Sequence, residues 1–170
     1  KGRVAVVTGG NGGIGLGMAR GLARAGAAIV VSGRNADKSR RPVDELGGLG
    51  AAAVAIEADV ADEAAVNALV QGTVDRFGRL DILVNNAGMN IRKPVHELTL
   101  AEWRRVIDTN LTSAFLASRA AYPIMKKNGG GKIINMGSMM SIFRASFAPA
   151  YAASKGGIVQ LTKAMASGWA

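Results

Sequence analysis

Apolar and polar positions along this chain follow two alternating rhythms. Short apolar runs recur at Val4-Ala5-Val6-Val7, Ala28-Ile29-Val30-Val31, Ala53-Val54-Ala55-Ile56, Ile82-Leu83-Val84 and Ile133-Ile134-Asn135-Met136. The first four are apolar throughout and the fifth is broken only by Asn135, rather than apolar at every second residue, which predicts strands covered on both faces, as in a parallel sheet. Between them apolar residues return every three or four positions: Ile14, Met18 and Leu22; then Val66, Leu69, Val70, Val74 and Phe77; then Trp103, Val106, Ile107, Leu111 and Phe115. That spacing predicts amphipathic helices.

Punctuation supports the same division. Gly26 stops the first helix, and a second is expected from Asp37 to Leu46, broken by glycines 47, 48 and 50. Asp62 caps a third that closes at Gly78. Thr99-Leu100-Ala101-Glu102 is a capping-box pattern opening one long helix towards Tyr122. A loop from Ser138 to Pro149 leads into a final helix from Tyr151 to about Trp169. Strand and helix thus alternate in units of about 30 residues, the length of a βαβ unit. The expected fold is α/β, a doubly wound parallel sheet of Rossmann-like type, built as one domain over residues 1–170.

Composition narrows the chemistry. The chain has 170 residues, 49% hydrophobic and only 5% aromatic, which suits closely packed aliphatic layers. It contains no Cys, so disulfides and thiolate chemistry are excluded. No apolar run approaches the ~18 residues of a membrane span, and Lys1-Gly2-Arg3 precedes the first strand without an apolar leader; a cytoplasmic protein with no membrane partner is expected. The net charge of +9 raises nucleic acid as a partner. The basic residues are dispersed, however, with no aromatic-interleaved stripe, so no nucleic-acid partner is expected and the positive field is read as one that draws in anionic small molecules.

The stretch Thr8-Gly9-Gly10-Asn11-Gly12-Gly13-Ile14-Gly15 joins the first strand to the first helix with five glycines in eight residues. Glycine lets the backbone turn tightly and approach a ligand, and the open N–H groups of a helix start favour an anion such as a diphosphate. In a doubly wound sheet ligands collect beyond the carboxyl ends of the strands. Gly33-Arg34, Asp59-Val60, Asn86-Ala87-Gly88 and Ser138 stand at those ends. An acidic residue after the second strand would hold a ribose 2′-hydroxyl, whereas an arginine accepts a 2′-phosphate; Arg34 therefore favours NADP over NAD. Asp59 is expected either to meet the adenine amino group or to cap a turn.

Tyr151 and Lys155 stand four residues apart, on one face of the last helix. To act as an acid–base group near neutrality a phenol must fall by about three pH units from its usual value, which costs about 4 kcal/mol. One cation about 4 Å away, at an effective dielectric of about 20, supplies that much. Ser138 is placed to donate to the substrate oxygen whose proton Tyr151 exchanges.

These motifs together resemble the classical short-chain dehydrogenases/reductases: Thr8-Gly9-x-x-x-Gly13-Ile14-Gly15, Asn85-Asn86-Ala87-Gly88, Asn110, Ser138 and Tyr151-x-x-x-Lys155, in the family's order and spacing across the whole chain. The resemblance implies a tetrad of Asn110, Ser138, Tyr151 and Lys155, with Asn110 anchoring a water in the proton relay and Lys155 holding the nicotinamide ribose. It implies cofactor contacts at Gly9, Asn11, Gly13, Ile14, Gly15, Arg34, Asp59, Val60, Asn86, Ala87 and Gly88, and hydride transfer between NAD(P) and a secondary alcohol or ketone.

Within the family the stretches around Ser138 and Tyr151 are most similar to 2-deoxy-gluconate and gluconate dehydrogenases. Arg92 and Lys93 are accordingly read as attracting a sugar-acid carboxylate. The alternatives are a 3-oxoacyl-thioester reductase acting on acyl-carrier protein and a cofactor-binding protein without turnover. The resemblance also implies a homodimer or homotetramer, paired through the long helix and the last one. Family members continue past the active-site helix with further strands, which are lacking here; an uncovered sheet edge is therefore expected.

Overall fold

In a computed structural model of the chain, residues 2–169 are described. Five strands, β1 (Val4–Thr8), β2 (Ala28–Gly33), β3 (Ala53–Glu57), β4 (Ile82–Asn85) and β5 (Lys132–Asn135), form one sheet in the order β3-β2-β1-β4-β5. Every pairing is parallel, with Val6 opposite Val30 on one side and Leu83 on the other. The chain winds outward from β1 to β3, then crosses back to β4 and β5. The order reverses between β1 and β4, the place where an open α/β sheet offers a ligand crevice.

Helices α1 (Gly13–Arg24), α2 (Ala36–Gly48), α3 (Glu63–Phe77), α4 (Leu100–Ile107), α5 (Ser113–Lys127) and α6 (Pro149–Trp169) cover the sheet. The apolar strands need cover on both faces, and each face supplies its own core. Val6, Val30 and Leu83 meet Val66, Leu69 and Val70 of α3 and Ala117, Ala121 and Met125 of α5. Ala5, Val7, Ile29, Val31 and Val84 point the other way, onto Ala19 and Ala23 of α1 and Leu46 of α2. Side chains alternate across a strand, so a fully apolar strand is the signature of two cores rather than one.

Three expectations are corrected. Glycines 47 and 48 do not end the second helix; α2 runs through Gly48, and the turn comes at Gly50 with φ +83°. A glycine inside a helix costs only about 1 kcal/mol against Ala, less than the packing of Leu46 returns. The long helix is not continuous either. Its Thr99 cap forms as expected, with Glu102 completing the box, but a π-helical turn over Asp108–Thr112 separates α4 from α5. The last helix also begins earlier, at Pro149.

β5 is an edge strand with no partner beyond it among the described residues. Its Lys132 and Ile134 are exposed, as expected for an uncovered edge. No described helix is long and apolar enough to cross a membrane.

Candidate active site

Thr8, at the end of β1, laces the switch point together. Its Oγ1 donates to Val84 O (3.3 Å) and accepts from the backbone N–H groups of Asn86 (3.0 Å) and Ala87 (3.1 Å). In return Asn86 Nδ2 donates to Thr8 O (2.9 Å) and Gly9 O (3.2 Å). The glycine turn is therefore pressed against the residues after β4. Gly9 has φ +63°, and a Cβ on Gly15 would lie 2.3 Å from Gly9 O and 2.4 Å from Asn86 Nδ2. No side chain caps α1 at Gly12, so its first N–H groups face the crevice. Such a bare, positively polarised helix start fits a diphosphate. Ile14, in that first turn, is exposed beside it.

A cleft of about 260 Å³ continues from this turn. Gly9, Asn11, Ala87 and Gly88 border it on one side, Arg34, Asn35 and Lys38 on a second, and Asp59 and Val60 on a third. The sequence expectations named about half of the residues that line it; Asn35, Lys38, Ala58, Met89 and Thr109 were missed. Lys38 had a signal, since it stands four residues from Arg34 at the start of α2, where Asn35 caps the helix by accepting from the Lys38 N–H (2.9 Å). Gly33 and Arg34, at the end of β2, stand where a ribose-binding carboxylate would, and the first carboxylate after them is Asp37 in the first turn of α2. Asp59 borders the cleft and also caps its own turn, its Oδ1 accepting from Ala61 N (3.0 Å). Gly33 admits the Asn11 amide, whose Nδ2 would be 2.6 Å from a Cβ there.

The residues of the expected tetrad come from three elements. The π turn widens the helix at Asn110, which is buried; its Oδ1 accepts from Met89 N (2.8 Å) and its Nδ2 donates to Met89 O (2.9 Å) and Ser154 Oγ (3.0 Å). Ser154, buried on α6, donates to Tyr151 O (2.7 Å), so Asn110 is tied to the tyrosine's own turn. Sequence reasoning gave Ser154 no role. Ser138 caps a single 3₁₀ turn, Met139–Ser141, that packs on α6. Its Oγ accepts from Met140 N (3.2 Å), which leaves the hydroxyl proton to donate elsewhere.

Lys155 is 4% exposed, and its Nζ donates to Met136 O at 2.6 Å. The ammonium lies 5.6 Å from the centre of the half-buried Tyr151 ring. Burial pushes the Lys155 pKa below its ordinary value.

Arg92 and Lys93 part company. The exposed Arg92 guanidinium sits over the Phe147 ring, 5.7 Å from its centre. Lys93 Nζ is engaged at 2.5 Å by Glu102, the capping-box carboxylate of α4. Of the two only Arg92 has its charge unspent on a carboxylate among the described contacts.

A larger hollow of about 760 Å³ runs along the free edge of β5, between the ends of α5 and α6. It touches none of the glycine turn, whereas Gly9 and Asn11 border the smaller cleft; neither space is lined by a residue of the tetrad. Size alone would choose it; the chemistry chooses the smaller cleft.

The comparisons with known proteins agree with this geometry. The family model described as short chain dehydrogenase matches residues 3–170. The chain is 42% identical over 166 residues to a D-beta-hydroxybutyrate dehydrogenase of Rhizobium meliloti (strain 1021), covering 96% of this chain and 64% of that one. It is also 42% identical over 171 residues to a 2-dehydro-3-deoxy-D-gluconate 5-dehydrogenase of Formosa agariphila, covering 100% and 65%. A crystal structure of a metagenomic short-chain oxidoreductase in complex with NADP superposes with a TM-score of 0.94 at 36% identity, over 98% of this chain and 76% of that one. The chain thus spans slightly less than two thirds of the first two relatives' lengths. With the parallel sheet, the glycine turn at its switch point and a family match along nearly the whole sequence, the chain belongs to the short-chain dehydrogenase family.

Proposed function

We propose that this chain is the cofactor-binding and catalytic part of an NADP-dependent oxidoreductase that interconverts a secondary alcohol and a ketone on a sugar acid such as a gluconate derivative. One observation carries the reading: Lys155, buried on α6, is pinned to Met136 O and held 5.6 Å from the Tyr151 ring, on the helix against which the Ser138 turn packs. A buried ammonium beside a phenol is costly to build and useful for proton exchange.

The cradle at Gly9 and Gly15, where a Cβ would collide with Gly9 O and Asn86 Nδ2, fits the diphosphate of a dinucleotide. Arg34 and Lys38 on one wall of the cleft, with Arg34 rather than a carboxylate directly after β2, support the 2′-phosphate of NADP over the free hydroxyl of NAD. When bound, the nicotinamide supplies hydride exchange with the substrate carbon. This chain's residues do the rest. Ser138 donates its hydroxyl proton to the substrate oxygen, Tyr151 gives or takes that oxygen's proton, and Lys155 holds a positive charge beside the tyrosine ring. Asn110 fixes the Met89 segment and, through Ser154, the turn that carries Tyr151; a water held at this position would link the lysine to solvent.

The sugar-acid assignment is supported by the names of relatives that act on gluconate derivatives and by the exposed Arg92, whose charge suits a carboxylate. A second reading has its own observation. Met139, Ile142 and Phe143, directly after Ser138, are 77%, 85% and 64% exposed, an apolar lip that suits a 3-oxoacyl thioester. The exposed Trp103 and Phe115, on α4 and α5, support pairing of two copies as a homodimer or homotetramer.

Loss of reduced-nicotinamide absorbance on mixing the chain with NADPH and either keto sugar acids or 3-oxoacyl thioesters tests these readings. Turnover of the sugar acids alone is expected. Turnover of the thioesters alone replaces the substrate class, and NADPH binding without turnover of any compound leaves a cofactor-binding protein.

A further inference from the structure

Four side chains outside the tetrad form a continuous polar chain through an otherwise apolar region. Asn85 Nδ2, at the end of β4, donates to Ser118 Oγ of α5 (3.2 Å) and to Asn135 Oδ1 of β5 (2.8 Å). Asn135 Nδ2 donates to Thr162 Oγ1 of α6 (2.9 Å), and Thr162 Oγ1 passes its own proton to Ile158 O (2.7 Å). Donors and acceptors match at each step, so the orientation of both amides is set by the chain itself. Asn85 and Ser118 are buried; Asn135 and Thr162 are half-buried, at the wall of the hollow along β5.

The placement is what gives this chain consequence. Asn135 directly precedes Met136, whose carbonyl takes the Lys155 ammonium. Thr162 stands seven residues after Lys155, two turns along α6, on the same face. β5 and α6 are thus tied twice: by Asn135 to Thr162 and by Met136 to Lys155. A helix resting on apolar side chains can slide along them at little cost, since dispersion and burial have no preferred direction. A directional amide-to-hydroxyl bond removes that freedom. Asn85 and Asn135 also sit immediately before the loops that bring Asn86 and Ser138 to the crevice.

We propose that Asn135 and Thr162 are positioning residues: their hydrogen bond sets the height of α6 on β5 and so keeps the Lys155 ammonium on the Met136 carbonyl beside Tyr151. The proposal rests on the reading of Lys155 as part of a catalytic site for its turnover arm only.

The test compares Thr162→Val, which removes the hydroxyl at nearly constant shape, with Thr162→Ser, which keeps it. The first readout needs neither cofactor nor substrate. NMR of isotope-labelled lysine follows the Lys155 nitrogen through a pH titration, assigned with Lys155→Met. In Thr162→Val the midpoint is expected to move upward, towards the ordinary lysine value, because a lysine that leaves its buried seat regains water. Tyr151 is the titratable neighbour on its own helix, and β5 faces it with the Met136 carbonyl. In Thr162→Ser the midpoint stays at the wild-type value.

The second readout is turnover. A displacement of about 1 Å can cost 100-fold, so kcat in Thr162→Val is expected to fall about 10- to 100-fold while the Kd for NADPH, set at the far glycine turn, changes less than about twofold. A wild-type chain with no turnover sinks the proposed function but leaves the lysine titration to decide this inference. A folded Thr162→Val whose Lys155 titrates as in the wild type overturns it, as does a Thr162→Ser as perturbed as the valine variant. Should Thr162→Val not fold, Thr162→Ala removes the same hydroxyl with less bulk and is read in the same way.

Discussion

A methyl group on Gly15 would lie 2.4 Å from Asn86 Nδ2, the atom that also donates to Thr8 O at 2.9 Å. The start of α1 and the residues after β4 are therefore in contact only because position 15 has no side chain. Gly15→Ala must push the helix away or break the Asn86 bonds. We expect it to cost about 1–3 kcal/mol of stability, typical of overpacking a tight site, and to weaken NADPH binding at least about tenfold. Thermal unfolding and a fluorescence titration with NADPH check both; an alanine variant that binds as tightly as the wild type would show that the turn is not the diphosphate seat.

Arg34 and Lys38 share one wall of the cleft. A hydrogen bond to a charged group contributes about 1.5–3 kcal/mol, so Arg34→Ala should weaken NADP about 10- to 100-fold and leave NAD nearly unchanged. Competition between the two dinucleotides, measured by calorimetry, decides this. Equal losses for both would assign Arg34 a role unrelated to the 2′-phosphate.

Tyr151→Phe keeps the ring beside Lys155 and removes only the phenol oxygen, the proposed acid–base group. Proton transfer by a positioned group contributes about 100- to 10,000-fold, and turnover should fall by that much while NADPH affinity stays. Retained turnover would take Tyr151 out of the chemistry.

The buried Lys155 is expected to lower the stability of the fold. Burial lowers its folded-state pKa below 10.5. Between the folded value and 10.5 the unfolded chain holds more protons than the folded one, so this residue makes stability rise with pH across that window. At lower pH both states are charged and the full desolvation cost remains. Lys155→Met should therefore raise the unfolding temperature at neutral pH and lose that rise, as a wild-type-minus-variant difference in a pH series of melts. A variant less stable than the wild type would mean that the bond to Met136 outweighs the desolvation.

Glu102 works with the opposite sign. Its bond to Lys93, helped by the Thr99 N–H, lowers its pKa from 4.5 to about 2. The stabilisation is present above 4.5 and is lost as the pH falls towards 2. Glu102→Gln should be less stable than the wild type at neutral pH, with the gap closing across that acid window in urea unfolding. A gap independent of pH would assign the effect to the cap geometry alone.

Much of this protein was legible in local pattern. Largely apolar runs predicted the five strands, five glycines at the end of the first run predicted the tight turn into α1, and the four-residue step from Tyr151 to Lys155 put phenol and ammonium on one helical face. Each of these depends on backbone periodicity or on what a residue type permits within a turn or two, so sequence suffices to read it. Other features depend on which elements end up adjacent. The pairing of Lys93 with Glu102, the seat of Arg92 on Phe147, the π turn that buries Asn110 against Met89, and the hydrogen bonds from Ser118 to Thr162 join residues on separate elements. No spacing rule relates such partners, because crossovers and packing, rather than the helix or strand repeat, decide which side chains meet.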